Sequence, residues 1–193
     1  MVKKQSGFTL VELAIVLVII GLILGMAFKG KDLIDGAKVK NLAAQYNKFV
    51  AGFNTFYEKY GFYPGDGCAT ATPANVAACT GTRDGVLTGA ELTASLSLLQ
   101  TTGILTRADM QSVFGQPWTL WHGTLSGLTG VWMDLPGVPQ QDPRLVCALD
   151  RMMDDGAWNT GRMRTDGTDP DYTLASDCWS LSGQTNFHML LLP

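Results

Sequence analysis

The chain has 193 residues, 46% of them hydrophobic and 16% charged, with a formal net charge of −3. That length holds one domain with a real core plus an extended element, and the composition is too apolar for a disordered chain. Basic residues are sparse beyond position 48 and mixed with acids, which excludes the basic face that duplex binding needs, so no nucleic-acid partner is expected.

The chain opens Met1-Val-Lys-Lys-Gln-Ser-Gly7 and continues Phe8-Thr-Leu-Val-Glu12 into an aliphatic run that ends near Phe28; residues 13–28 carry no charged side chain. As a helix, Phe8 to Phe28 would be about 30 Å long, the thickness of a bilayer's hydrocarbon core. Three readings fit. The segment is an ordinary membrane anchor, a secretory signal, or a span that doubles as an assembly interface. The secretory reading cuts after Ala27, in Gly25-Met26-Ala27, and releases a soluble secreted binding protein. It leaves Glu12 without a purpose, although a carboxylate in a spanning helix costs roughly 2.5–3.5 kcal/mol at mid-bilayer and less near its end. A cut between Gly7 and Phe8 supplies one. The new α-amino group of Phe8 on one subunit would meet the Glu12 carboxylate of its neighbour in an apolar bundle. Such a pair offsets the desolvation of both charges and fixes the axial register between helices.

Lys3-Lys4-Gln5-Ser6-Gly7 followed by Phe8-Thr9-Leu10-Val11-Glu12-Leu13 resembles the class III signal of type IV prepilins and type II secretion pseudopilins. The resemblance implies a membrane peptidase that cuts after Gly7 and N-methylates Phe8. It implies a filament subunit rather than an enzyme: a pilin, minor or pilin-like, or alternatively a secretion pseudopilin. Such a subunit waits in the bacterial inner membrane as a single pass with its head in the periplasm. It then enters an extracellular filament or a periplasmic pseudopilus. The implied partners are copies of itself or other pilins, the prepilin peptidase, an assembly platform with its motor ATPase, and the lipid bilayer. The chain departs from many major pilins in having no proline before Pro64. Gly21, Gly25, Gly30 and Gly36 stand instead as weak points of the helix or as places of close helix approach.

Beyond the apolar run, Val39, Leu42, Tyr46, Phe49, Phe53, Phe56 and Tyr60 recur at spacings of three and four, which predicts one stripe of an amphipathic helix. Gly61 and Pro64 end it. The chain therefore divides into a leader (1–7), a transmembrane and filament-core helix (8–30), the amphipathic half of the same helix (31–61) and a head (62–193). Four cysteines, Cys68, Cys79, Cys147 and Cys178, come without a C-x-x-C and with only two histidines, which argues against zinc. Their even number predicts two disulfides and an oxidising compartment; several pairings are open and nearest neighbours are preferred. This places the head outside the cytoplasm, a choice that lysines on both flanks of the span leave undecided.

In the head, Thr88-Gly-Ala-Glu91 has capping-box spacing for a helix to about Thr102, closed by Gly103. Residues 117–122, 130–135 and 187–192 read as strands, and Asp142-Pro143 opens a helix to about Met153. The expected fold is α+β: a long N-terminal helix, half transmembrane and half amphipathic, packed on a small antiparallel sheet in a pilin-like head. Asp150, Asp154, Asp155, Asp166, Asp169 and Asp171 crowd a Gly-rich stretch. Such oxygens suit calcium, with Asp154, Asp155, Asp166, Asp169 and Asp171 as candidate ligands, as some pseudopilins carry in a C-terminal loop; Asp and Gly also serve as turn residues. Asp154-Asp155-Gly156 with Asn159-Thr160-Gly161 resembles a motif of many prepilin-like proteins. His122 and His188 lack any accompanying nucleophile signature, so no catalytic residue is expected.

Overall fold

The structure is a computed structural model and describes residues 9–135, 141–166 and 171–193, the side chain of residue 28 excepted. Its elements are α1 (Leu10–Tyr60), α2 (Ala90–Thr101), β1 (Thr119–Leu125), β2 (Leu128–Asp134), α3 (Pro143–Met153), β3 (Met163–Thr165) and β4 (Phe187–Leu192), with 3-10 turns at Val76–Ala78 and Cys178–Ser180. The chain divides into two units, Met1–Ala37 and Lys38–Pro193.

In the first unit every described side chain from Thr9 to Ala27 is exposed. An 18-residue window of α1 reaches a mean hydropathy of 2.8, long and apolar enough to cross a membrane. A Cβ added at Gly21, Gly25, Gly30 or Gly36 would meet nothing within 4 Å, so these glycines leave open notches along the helix.

In the second unit the pattern becomes one-sided. Val39, Leu42, Tyr46, Phe49, Phe53 and Phe56 are buried, while Lys40, Lys48 and Glu58 on other faces are exposed. Burying this stripe, aromatic in four of those six positions, contributes roughly 1.5–3 kcal/mol per large side chain. The Tyr46 hydroxyl donates to the Leu190 carbonyl at 2.6 Å and so fixes helix against strand. Gly61 ends α1 in the left-handed region (φ 79°), its N–H bonded to the Tyr57 carbonyl at 2.7 Å.

The sheet has the order β1-β2-β4-β3 and is antiparallel throughout. Leu125 pairs with Leu128 across Ser126-Gly127, both at positive φ (45° and 83°), the backbone of a two-residue type I′ hairpin. Every residue of β4 is buried, as a central strand covered on both faces must be. The α+β architecture, one long N-terminal helix packed on a small antiparallel sheet, is the one the sequence implied.

The differences are local. Strand β1 begins at Thr119 rather than at residue 117, because Pro117 bridges Gln111 and the Trp118 N–H is bonded to the Met110 carbonyl at 2.8 Å. The capping box before α2 forms by half: Glu91 Oε2 accepts the Thr88 N–H at 3.0 Å, but the N-cap is Gly89, which has no side chain to return the bond. Strand β3 was not foreseen. Helix α3 starts as expected, with Asp142 accepting the Arg144 N–H at 3.0 Å. Disulfides join Cys68 to Cys79 and Cys147 to Cys178, the second tying α3 to the 3-10 turn at Cys178–Ser180.

Candidate functional site

Two places in the chain gather chemistry. The first is the start of α1. Thr9 stands just before the helix, and Glu12 lies in its first turn. The Thr9 N–H and hydroxyl each donate to Glu12 Oε2 at 2.8 Å, and the Glu12 N–H returns to the Thr9 hydroxyl at 3.3 Å. This is a complete capping box, in which side chains satisfy N–H groups that the first helical turn leaves orphaned. Glu12 is thus held by its own chain through one oxygen, while it stays exposed at the head of an apolar helix. The Thr-x-x-Glu spacing is the capping-box signature, which reading Glu12 only as a charge in an apolar run misses. Gly7 and Phe8 lie outside the described residues.

The second is the loop after α3. Asp150, fully buried, takes the Gly156 N–H at 3.1 Å on one oxygen and the Tyr172 hydroxyl at 2.9 Å on the other. Asp154 accepts the N–H groups of Arg162 and Met163, the latter at 2.8 Å, and so delivers the chain into β3. Asp155 accepts the Ala157 N–H at 3.0 Å and the Thr160 hydroxyl at 2.6 Å. Gly156 and Gly161 both sit at positive φ, and a Cβ on Gly161 would fall 2.1 Å from Asp154 Oδ2. Asp154-Asp155-Gly156 and Asn159-Thr160-Gly161 therefore form one folded loop: carboxylates fill its centre and glycines make the room.

Burial, with Asp154 and Asp155 nearby, raises the Asp150 carboxyl to about 6 against the pull of the Tyr172 and Gly156 bonds. One oxygen from each of Asp150, Asp154 and Asp155 lies within 4.8 Å of the others, a set that could hold a divalent ion. The candidate ligands do not all gather here. Asp166 accepts the Asn186 amide at 2.6 Å, Asp171 is exposed, and Asp169 lies outside the described residues.

The histidines stand apart from both places. His122 is half-buried on β1. His188 on β4 takes the Trp121 indole N–H at 3.2 Å and lies 3.4 Å from Asp134 Oδ1. Burial lowers the His188 imidazole and raises the Asp134 carboxyl.

An exposed apolar helix entered through a capped glutamate, continuing into a small disulfide-bonded sheet head, defines a pilin-like chain. Residues 2–28 match the prokaryotic N-terminal methylation motif. Over these residues the chain is similar to the class III prepilin signal, the N-terminal signal of type IV prepilins and type II secretion pseudopilins. Neither the curated proteins nor the solved structures include a match to it.

Proposed function

We propose that this chain is a structural, non-enzymatic subunit of a type IV filament, a pilin of the minor or pilin-like kind. The methylation motif over residues 2–28, leading into an exposed apolar helix with one carboxylate in its first turn, carries this reading. Residues 1–7 are the leader, removed after Gly7, and Phe8 becomes the N-methylated first residue. Residues 8–30 hold the subunit in the inner membrane and later form the filament core, residues 31–61 continue the helix, and residues 62–193 form the head. On assembly, the Phe8 amine of one subunit meets Glu12 of its neighbour, and that pair sets the stagger. The peptidase, the assembly platform and its motor ATPase act on the membrane pool.

The mature N-terminus tests the reading, by intact mass and N-terminal peptide sequencing of the membrane fraction. A start at N-methylated Phe8 is expected. A start at Phe28 in the soluble fraction would make the segment an ordinary secretory signal and remove the filament argument.

A secretion pseudopilin is the second reading, favoured by the convergence of Asp150, Asp154 and Asp155. Calcium is the divalent ion that such oxygens take in a loop. The three carboxylates already serve as acceptors for the loop's own N–H and hydroxyl groups, so the loop is built with or without the ion. A rise in melting temperature with calcium, abolished in Asp155→Asn, would support the ion. An unchanged melt would leave these carboxylates as the loop's internal acceptors.

A further inference from the structure

Asp66 is 2% exposed and lies in the turn just before the Cys68–Cys79 disulfide. Its Oδ2 accepts the Gly85 N–H at 3.1 Å. Its Oδ1 is buried with no hydrogen-bond partner, the only such side-chain oxygen or nitrogen among the described residues. The surroundings make an ionised Asp66 costly. Glu91 on α2 faces it, its carboxylate taking the Gly67 N–H at 2.9 Å and the Thr88 N–H at 3.0 Å. Asp84, on the segment that packs over the turn, takes the Val86 N–H at 3.0 Å. The cation of that segment, Arg83, lies over the Phe62 ring at 3.6 Å and donates to the Cys79 carbonyl.

A buried carboxylate oxygen without a partner bears its full desolvation cost, and two neighbouring carboxylates add to it. A proton on Oδ1 removes the charge and leaves Oδ2 free to accept from Gly85. Burial first, then the Glu91 and Asp84 carboxylates, push this carboxyl up from its ordinary value against the pull of the Gly85 and Asp84 N–H groups. The bond from Gly85 matters mechanically. With the Gly81 N–H donating to the Gly67 carbonyl at 2.8 Å, it holds the 81–85 segment on the 65–67 turn. Ser95 anchors the same turn to α2 through the Pro64 carbonyl at 2.7 Å.

We propose that Asp66 is the proton-binding residue of a pH-sensitive clasp: protonated, it holds residues 81–86 on the head, and ionised, it lets that segment open up to the buried Leu87. The segment carries exposed Asp84 and Val86, so the surface the head offers there changes with pH. This inference stands whether or not the chain forms filaments.

The test is amide hydrogen exchange on the full chain in detergent from about pH 3 to about pH 8, upward from the ordinary carboxyl range and corrected for intrinsic exchange. The Gly85 amide should lose protection several-fold as pH rises. Asp66→Asn, which keeps the neutral shape, should make that protection independent of pH. Asp150, raised to about 6, also titrates within that window, and Asp150→Asn should leave the Gly85 profile unchanged. The carboxyl carbon shift of Asp66 in the unsubstituted protein reads the proton directly, without relying on any variant to fold. A flat Gly85 profile, an unchanged slope in Asp66→Asn, or a carboxyl shift at the ionised value down to about pH 4 would overturn the proposal. So would protection that appears only with millimolar calcium chloride, which would make this a cation site instead.

Discussion

Glu12 has two claims on it. Its Oε2 is engaged by the amide and hydroxyl of Thr9, while the proposed assembly pair needs the carboxylate to face a neighbour's amine. The two are compatible because the box uses one oxygen. A carboxylate already holding two hydrogen bonds is also less costly to keep in lipid. We expect Glu12→Ala to leave cleavage and insertion intact and to block assembly, read as subunit in the membrane fraction and none in sheared fibres. Normal fibres from Glu12→Ala would end the register argument and leave the prepilin signal standing. A second residue-scale prediction concerns acid. The Lys48 ammonium 2.5 Å away, then the Thr106 hydroxyl and amide, hold Asp109 down at about 2 from 3.8. A folded value below the unfolded one stabilises above about pH 4 and is lost as pH falls through about 2. Lys48 is half-exposed, so the contribution is about 1 kcal/mol or less. Lys48→Met should flatten that limb of the stability curve in urea unfolding. At this scale Glu12 was legible because a charge in an apolar run calls for a reason. Asp66 was not, because Gly-Asp-Gly in a loop reads as an ordinary turn and its burial is a property of α2 and residues 81–89 folding over it.

The elements followed their local signals wherever one chain segment decided the outcome. The alternation of three and four from Val39 to Phe56 gave α1 its buried face, and Asp142-Pro143 gave α3 its start. Strand β3 had no such signal. Met163-Arg164-Thr165 is too short to show a period, and it is placed by Asp154 on one side and by Phe187–Met189 of β4 on the other. Gly161→Ala therefore should cost about 2–3 kcal/mol, since a left-handed backbone gains a Cβ and Asp154 loses its room. The loss should show as faster amide exchange at Arg162–Thr165. The disulfides predict a ranking. Cys147–Cys178 spans 31 residues and Cys68–Cys79 spans 11. On loop-closure entropy, removing the first pair should cost about 3–4 kcal/mol and the second about 2–3 kcal/mol. Chemical denaturation of the two double-alanine variants checks the order, and equal losses would mean that native-state strain or residual structure outweighs loop length.

For the whole molecule, the structure separates its two units after Ala37. The reason is where burial begins. Among the described residues no hydrophobic side chain before Val39 is buried, and Leu33 and Ile34 remain more than half exposed. Everything that closes the core, from Val39 through β4 and both disulfides, belongs to Lys38–Pro193. A unit whose core is complete without a segment should fold without it. A fragment of residues 38–193, exported to an oxidising compartment, should be a soluble monomer that unfolds cooperatively, by size-exclusion chromatography and calorimetry. Its first turn will fray, because Lys38 to Asn41 lose the preceding helix that supplies their hydrogen bonds, and the local cost is that of an uncapped helix end, about 1 kcal/mol. The full chain should fractionate with membranes, since its exposed apolar run is the feature the fragment lacks. A fragment that aggregates or melts without a cooperative transition would show that residues before 38 take part in folding the head. A soluble, cooperative fragment would show that anchoring and folding are separate properties, so that loss of filaments in Glu12→Ala reports on assembly alone.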